Sequence, residues 1–534
     1  MKEVNNEEKS IMKKNKKKGE KKRFVTILKI ASVIILFLIQ IAFMLLLYTT
    51  GKGIYKYARV VYEMIKIGAI LYLLYRHDSS AYKISWILFI TFMPVVGLIV
   101  FFLWGNSKLR KKKELEIRRV RVETENMLRD SDQISEEIAK FDKFKANQVK
   151  YTTNITGYPV YRNQGVQYFS IGEEFFQSLK KDLQKAEKYI LVEFYIIAQG
   201  KLYDEIFEIL KAKVREGVRV QLIVDSLGAM FRFPKNVREE LEEEGIEIYV
   251  FNKLSAPLSG YINYRDHRKI VVIDGVCSYT GGVNLADEYA NIIERFGHWK
   301  DVGIKITGEA TWSFTLMFLR ALEQMTEKEI DYEWYQKIGE ESIKKWNLQE
   351  KKQGYVLPCA DGPDNRKNPI ESIYIQTINY AKDYIYITTP YFVISEALLT
   401  ALLNSARSGV DVRIILPHIP DKKMVQRVTR SYYEVLLEAG IKVYEYKPGF
   451  IHSKTFVADD NTAIVGTANL DFRSMHLNFE CINWMYQTGE EMKVKQDFEE
   501  MLKNCIEIDL NEWKKRSIFK KVWEAILTAF APMM

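Results

Sequence analysis

Residues Gly449–Glu480 read GFIHSKTFVADDNTAIVGTANLDFRSMHLNFE. The stretch holds a His, a Lys two residues on, an Asp five further and then a Gly-Thr-Ala-Asn turn. The same arrangement occurs once before, from His267 to Asn284, as HRKIVVIDGVCSYTGGVN. His267, Lys269, Asp274, Gly282 and Asn284 correspond to His452, Lys454, Asp459, Thr467 and Asn469. In a chain with only six histidines, two copies of one polar set predict a single site built from both halves.

Around each copy, strands alternate with helices, which argues for an α/β sheet with covered faces. In the first half the expected elements are a strand at Tyr189–Ile197 (YILVEFYII), a helix at Leu202–Arg215, a strand at Val218–Val224, a helix at Asn236–Glu244 and a strand at Ile246–Phe251. The second half repeats them at Tyr384–Val393, Ala397–Arg407, Val410–Leu416, Tyr432–Glu438 and Ile441–Tyr446. Gly217 and Gly409 are 192 residues apart, Gly245 and Gly440 are 195 apart, and His267 and His452 are 185 apart. The near-constant offset marks an internal duplication. The drop to 185 makes the loop before His267 ten residues longer than its counterpart.

Toward the N-terminus the character changes. Residues 1–23 are a basic tail containing KKNKKKGEKKR (Lys13–Arg23). Residues 24–105 are expected to form a membrane region of two or three apolar helices. Phe24–Tyr48 is long enough to cross a bilayer core of roughly 30 Å and too long for a signal peptide. Tyr57–Tyr75 is interrupted by Arg59, Glu63 and Lys66. Ile84–Trp104 reads as a clean apolar segment with Trp86 and Trp104 near its ends as interface anchors. The basic run KLRKKKELEIRRVR (Lys108–Arg121) follows at once. Lys and Arg prefer the cytoplasmic side, so basic clusters flanking the first and third segments require an even number of crossings between them. The charged second segment is therefore expected to be short, tilted or interfacial, with the catalytic lobes cytoplasmic. Residues 106–150 read as a juxtamembrane helix and linker, 151–326 as lobe 1, 327–353 as an inter-lobe linker, 354–490 as lobe 2 and 491–534 as an amphipathic extension. That extension is expected either at the bilayer surface or packed on the body.

The net charge of +9 resembles a nucleic-acid signal until it is mapped. The first 121 residues hold 25 Lys and Arg against 8 Asp and Glu, leaving 53 against 61 for the rest. An acidic body behind a basic, apolar N-terminus disfavours phosphate-backbone binding and points to anionic lipids instead. The four cysteines are scattered with no CxxC, which indicates neither a zinc site nor a disulfide framework.

The paired motifs, together with TPYF (Thr389–Phe392) and NLDFRSMHLNFE (Asn469–Glu480), resemble the phospholipase D superfamily. With the apolar N-terminus they resemble its bacterial cardiolipin synthases. The resemblance implies two duplicated α/β lobes with the active site between them, and a transphosphatidylase that converts two phosphatidylglycerols to cardiolipin and glycerol through a phosphohistidine. A hydrolytic phospholipase D of the same fold is the alternative. It further implies that His267 is the nucleophile and His452 the general acid and base, and that Glu480 and Asp301 cross over to orient His267 and His452.

The chemistry fits. A phosphodiester's negative charge repels nucleophiles, so Lys269, Lys454, Asn284 and Asn469 can clamp its non-bridging oxygens while two imidazoles exchange the proton. No metal or cofactor is called for. Asp274 and Asp459 complete the motif but read as structural. The family's GSxN turn is GGVN in one half and GTAN in the other, so Gly282 lacks a hydroxyl that Thr467 keeps. His298 either lines the cleft or packs. His77, His418 and His476 read as surface or cleft-edge residues, Arg473 and Ser474 as possible headgroup contacts, and Phe194, Tyr195, Tyr391 and Phe392 as core strand.

Overall fold

In a computed structural model, the two apolar runs read as the first strand of each half lie inside two sheets of identical order. The structure describes residues 38, 40–42, 45 and 54–534, apart from 106–110, 130, 231, 253–262, 347, 349–351, 366 and 534. Two compact units result, Met1–Ser107 and Lys108–Met534.

In the larger unit the first lobe contributes β1 (Val166–Phe169), β2 (Tyr189–Phe194), β3 (Arg219–Asp225), β4 (Glu247–Phe251), β5 (Ile270–Ile273), β6 (Cys277–Gly281) and β7 (Gly303–Thr307), in the order β1-β7-β6-β5-β2-β3-β4. The second contributes β8 (Tyr355–Asp361), β9 (Tyr384–Thr388), β10 (Asp411–Pro417), β11 (Lys442–Tyr446), β12 (Thr455–Ala458), β13 (Thr462–Gly466) and β14 (Asn478–Tyr486). Their order, β8-β14-β13-β12-β9-β10-β11, repeats the first, and Tyr161–Arg162 and Cys505–Glu507 extend the edges. β2, β3 and β4 are parallel, as are β9, β10 and β11. Every residue of β2 and β9 is buried, which is why both read as continuous apolar runs. Gly217, Gly245, Gly409 and Gly440 all have φ between 88° and 99°. Each ends a helix in the left-handed conformation that only glycine adopts cheaply, so the matched glycines of the sequence are matched turns.

The two sheets share one hydrophobic core. Between them runs a helix that sequence reading does not single out, Thr311–Thr326, which packs on β2, β5 and β8. Phe314, Leu316, Phe318 and Leu319 are fully buried, and every residue from Ser313 to Glu323 is buried, so this helix lies in the interior on all sides.

Two expectations change. Residues expected as a juxtamembrane helix and linker form three helices, Lys111–Glu123, Asp132–Ala139 and Lys143–Thr156, that pack on the body. Gln148 donates to Thr377 at 2.8 Å, and Arg320 to Thr124 Oγ1 at 2.8 Å, so the larger unit starts at Lys108 rather than Tyr151. The inter-lobe linker, charged and helix-forming in its sequence, holds the helix Tyr332–Lys345, docked by the buried Tyr335, whose hydroxyl donates to Gln221 at 2.6 Å. The strand expected over Tyr384–Val393 is interrupted at Pro390, which has no N–H to give, and resumes as Phe392–Val393.

The smaller unit contains helices Ile54–Tyr75, Ser80–Phe92 and Pro94–Trp104. The first apolar stretch, Phe24–Tyr48, lies almost entirely outside the described residues. Among the described residues no helix is long and apolar enough to cross a membrane. The reading of Ile84–Trp104 as one clean spanning segment is corrected: Pro94 breaks it into helices of 13 and 11 residues, about 20 and about 16 Å long. They fold back on each other. A Cβ on Gly97 would meet Phe89 O at 2.8 Å, so glycine permits their approach. Trp86 is buried against Phe101, with ring centroids 5.3 Å apart, instead of sitting at an interface. Arg76 Nη1 donates to Gly105 O at 3.0 Å, tying the two ends of the hairpin together.

Candidate active site

Each motif histidine follows a short strand that crosses to the opposite half. Arg265–Asp266 pairs in parallel with the start of β14, Asn478 and Phe479, and the His267 amide donates to Phe479 O at 2.9 Å. Gly449–Ile451 pairs in parallel with His298–Lys300, and the His452 amide donates to Lys300 O at 2.7 Å. Register then dictates the next residue on each partner: Glu480 opposite His267 and Asp301 opposite His452. His267 Nδ1 lies 2.9 Å from both Glu480 oxygens, and His452 Nδ1 lies 2.6 Å from Asp301 Oδ2. Both carboxylates are completely buried. A carboxylate accepting from Nδ1–H leaves Nε2 as the lone-pair nitrogen of the neutral ring.

The lysines lie beside the histidines. Lys269 Nζ donates to His267 O at 2.5 Å, and Lys454 Nζ lies 3.1 Å from His452 Nε2. Burial lowers Lys269 to about 8 and Lys454 to about 7, with Lys269's charge adding to the effect on Lys454. Burial likewise lowers both histidines. Lys454 lowers His452 further, whereas Glu480 partly offsets the effect at His267. Glu480 stays below the usual glutamate range despite its burial, because His267 and Lys269 stabilise its charge.

The unequal turns have a structural cause. Thr467 Oγ1 donates to Glu480 Oε2 at 2.5 Å and Asn478 Nδ2 to Glu480 Oε1 at 3.1 Å, so the threonine hydroxyl is spent on the carboxylate rather than on a phosphate. At Gly282 a Cβ would lie 2.0 Å from Asp301 Oδ1. Glycine there makes room for the carboxylate that holds His452.

The two asparagines also differ. Asn284 is built into the protein, accepting from the Ile196 amide at 3.0 Å and donating to Tyr289 OH at 2.8 Å. Asn469 Oδ1 is buried and takes no bond from another described residue, while its backbone N–H donates to Ser474 Oγ at 3.2 Å.

Asp274 and Asp459 do not enter the cleft. Asp274 accepts from the amides of Glu187, Lys188 and Tyr189 at 2.7–2.8 Å, and Asp459 from those of Lys382, Asp383 and Tyr384 at 2.8–3.2 Å. Both sit at positive φ, 48° and 53°, each fastening the turn that leads into β2 or β9. Although they complete the His-Lys-Asp motif, their carboxylates are consumed by backbone at the far end of the strands.

Sequence reading misses the walls. Tyr195, read there as core strand, lies against His267 with ring centroids 5.2 Å apart. Tyr289, Trp299 and Phe450 surround His452 at 5.5, 5.6 and 5.8 Å. Behind His267, Arg268 Nη2 lies 2.8 Å from Asp266 and 2.9 Å from Glu193, all three buried. The flanking letters differ accordingly, RDHRK against FIHSK, and that contrast was the available signal. The remaining candidates pack elsewhere. His298 Nδ1 lies 3.0 Å from Tyr446 OH, His418 pairs with Glu445 at 2.8 Å, and His476 lies against Phe472 with ring centroids 4.4 Å apart and the rings tilted by 47°. Arg473 donates to Asn263 O at 2.9 Å.

The sequence profile described as "Cardiolipin synthase, PLD-like domain" matches residues 179–293 and 374–502, and one described as "Phospholipase_D-nuclease N-terminal" matches residues 65–106. An uncharacterized protein of Streptococcus mutans is 38% identical, over 88% of this chain and 100% of its own length. Cardiolipin synthase 2 of Bacillus anthracis is 33% identical over 88% of this chain and 89% of its own. A cardiolipin synthase of Halalkalibacterium halodurans is 32% identical over 89% and 93% respectively. Among solved structures, phosphatidylserine synthase of Haemophilus influenzae superposes with a TM-score of 0.54 at 15% identity, covering 73% of this chain and all of that one. The likeness shows a shared two-lobed α/β fold.

Proposed function

Because this chain belongs to the cardiolipin synthases built on phospholipase D-like domains, and is thus a phosphatidyltransferase acting on phospholipids, we propose that it joins two phosphatidylglycerols through a phosphohistidine on His267. The observation that carries the reading is the pair of crossed histidine–carboxylate contacts, each with a lysine beside it.

Two ammonium groups against two carboxylates leave the site neutral when both imidazoles are neutral. A phosphodiester brings one negative charge, which accommodates one imidazolium. At 4 Å and an effective dielectric of 20 such a pair gains about 4 kcal/mol, so substrate itself favours protonation of His452. His267 Nε2 then attacks phosphorus, the P–O bond to the glycerol headgroup breaks, and His452 gives its proton to the departing alkoxide. The terminal hydroxyl of a second phosphatidylglycerol enters, His452 takes its proton, and the new P–O bond releases His267. Lys269, Lys454 and Asn469 are positioned to hold the non-bridging oxygens; Asn284 supports Tyr289 and the Ile196 turn.

Membrane attachment by the N-terminal region belongs to the same reading. A hairpin whose ends are tied by Arg76 and Gly105 contributes no net crossing.

Membranes containing the full chain and given phosphatidylglycerol alone should yield cardiolipin and free glycerol. Phosphatidic acid as the sole product would favour the hydrolytic reading and sink this one. A second expectation concerns pH. A lysine is charged below its pKa, so with Lys454 at about 7 and Lys269 at about 8, kcat/KM should fall as pH rises through that window. The limb in kcat should lie higher, since a bound diester favours the ammonium form. Coincident limbs, or none, would argue against a charged lysine clamp.

A further inference from the structure

The C-terminal helix Ile518–Ala529 has two lives. One side docks on the body: Leu527 and Ala531 pack with Val428, Val393 and Tyr432, Thr528 hydrogen-bonds Ser431 at 2.9 Å, and Lys521 pairs with Glu434 at 2.8 Å. Beside it Arg516 closes on the buried Glu524 at 2.8 Å. The other side exposes Ile518 (65%), Phe519 (83%), Val522 (51%), Trp523 (47%) and Ile526 (46%). Their spacing at i, i+1, i+4, i+5 and i+8 makes one stripe along the helix. Soluble surfaces rarely carry so contiguous an apolar patch without a use.

Charge identifies what covers it. Lys520 stands on the same helix, and the adjacent helix Lys423–Ser431 contributes Lys423 and Arg427 together with the exposed Met424. Lys423, Arg427 and Lys520 have no acidic partner among the described residues. An aromatic and aliphatic stripe bordered by unpaired cations on an otherwise acidic body fits an anionic lipid surface, with the rings at the headgroup boundary and the cations among phosphates.

Position adds a second reason. Val393, which the docked side of the helix touches, belongs to Phe392–Val393, and that strand pairs with Leu470–Asp471 directly after Asn469. The stripe therefore sits one packing layer from the rim of the site. We infer that the exposed face of the C-terminal helix lies in the headgroup–acyl boundary of an anionic bilayer and holds the mouth of the cleft against the lipid, as a contact separate from the N-terminal helices.

The test reads position rather than turnover, so it stands apart from the histidine roles. Full-length protein carrying Cys505→Ser and Val522→Cys is labelled with a fluorophore in vesicles of phosphatidylglycerol and phosphatidylcholine. The three remaining native cysteines are buried. Acyl-chain nitroxide lipids should quench the probe and an aqueous quencher should not. A probe at Lys235, whose side chain is 80% exposed, should respond the opposite way. Water-quenched fluorescence at 522 would overturn the proposal; so would a probe shielded from water yet untouched by the lipid quencher, which would indicate a protein partner. As a second arm, Trp523→Ser with Ile526→Ser should raise several-fold the surface density of phosphatidylglycerol needed for half-maximal rate, with kcat and Tm unchanged. An unaltered requirement would also overturn it.

Discussion

Replacing His267 with Asn is expected to reduce turnover on the order of 10⁵-fold, as loss of a nucleophile does where no neighbour substitutes for it. The His452→Asn variant should lose as much steady-state rate but differ in one readout. Given phosphatidylglycerol with labelled phosphate and a headgroup activated to leave without a proton, it should accumulate label on protein, because the phosphohistidine forms and no base activates the acceptor. The His267→Asn variant should accumulate none. Label retained by His267→Asn and absent from His452→Asn would reverse the two roles. The two rings give grounds for asking, since His267 is held by both oxygens of Glu480 whereas His452 lies between Asp301 and Lys454 within an aromatic wall.

The second large effect concerns the carboxylates. Glu480→Gln and Asp301→Asn keep shape and burial but replace an oxygen that accepts with an amide that donates. Each should therefore leave its imidazole in the wrong tautomer and cost about 10²–10⁴-fold in kcat with KM little changed. Circular dichroism and Tm should stay near wild type, separating misorientation from unfolding. Gly282→Ala reaches the same histidine by another route: its Cβ would stand 2.0 Å from Asp301 Oδ1, so it should mimic Asp301→Asn in kcat. If Gly282→Ala turned over normally, the close approach at that turn would have no bearing on His452.

Much of this arrangement was legible in the letters because duplication is a property of spacing. The repeated alternation of strands and helices, the paired glycines and the two His-Lys sets follow from offsets that need no geometry. The crossing of Glu480 and Asp301 entered through family resemblance, since 28 and 34 residues of separation say nothing of register; the short strands Arg265–Asp266 and Gly449–Ile451 are what set it. Tyr195 reads as core strand, and Tyr289 and Trp299 do not stand out as walls, because an aromatic in a buried run looks the same whether it faces core or cleft. The helix Thr311–Thr326 escaped for the complementary reason: burial on every side removes the periodicity that marks an amphipathic helix. Pro94 stands in the middle of Ile84–Trp104, and a proline at that place divides an apolar run whose hydropathy alone reads as one segment.

The crossed strands also mean that the two lobes have no independent competence. Each imidazole takes both its backbone anchor and its carboxylate from the other half of the chain, so a single lobe would own a histidine with nothing to orient it. Loosening the lobes by a few ångströms would silence both histidines together, and activity would vanish while each sheet remained folded. The catalytic rate of this enzyme is thus a direct gauge of how firmly its two halves hold each other.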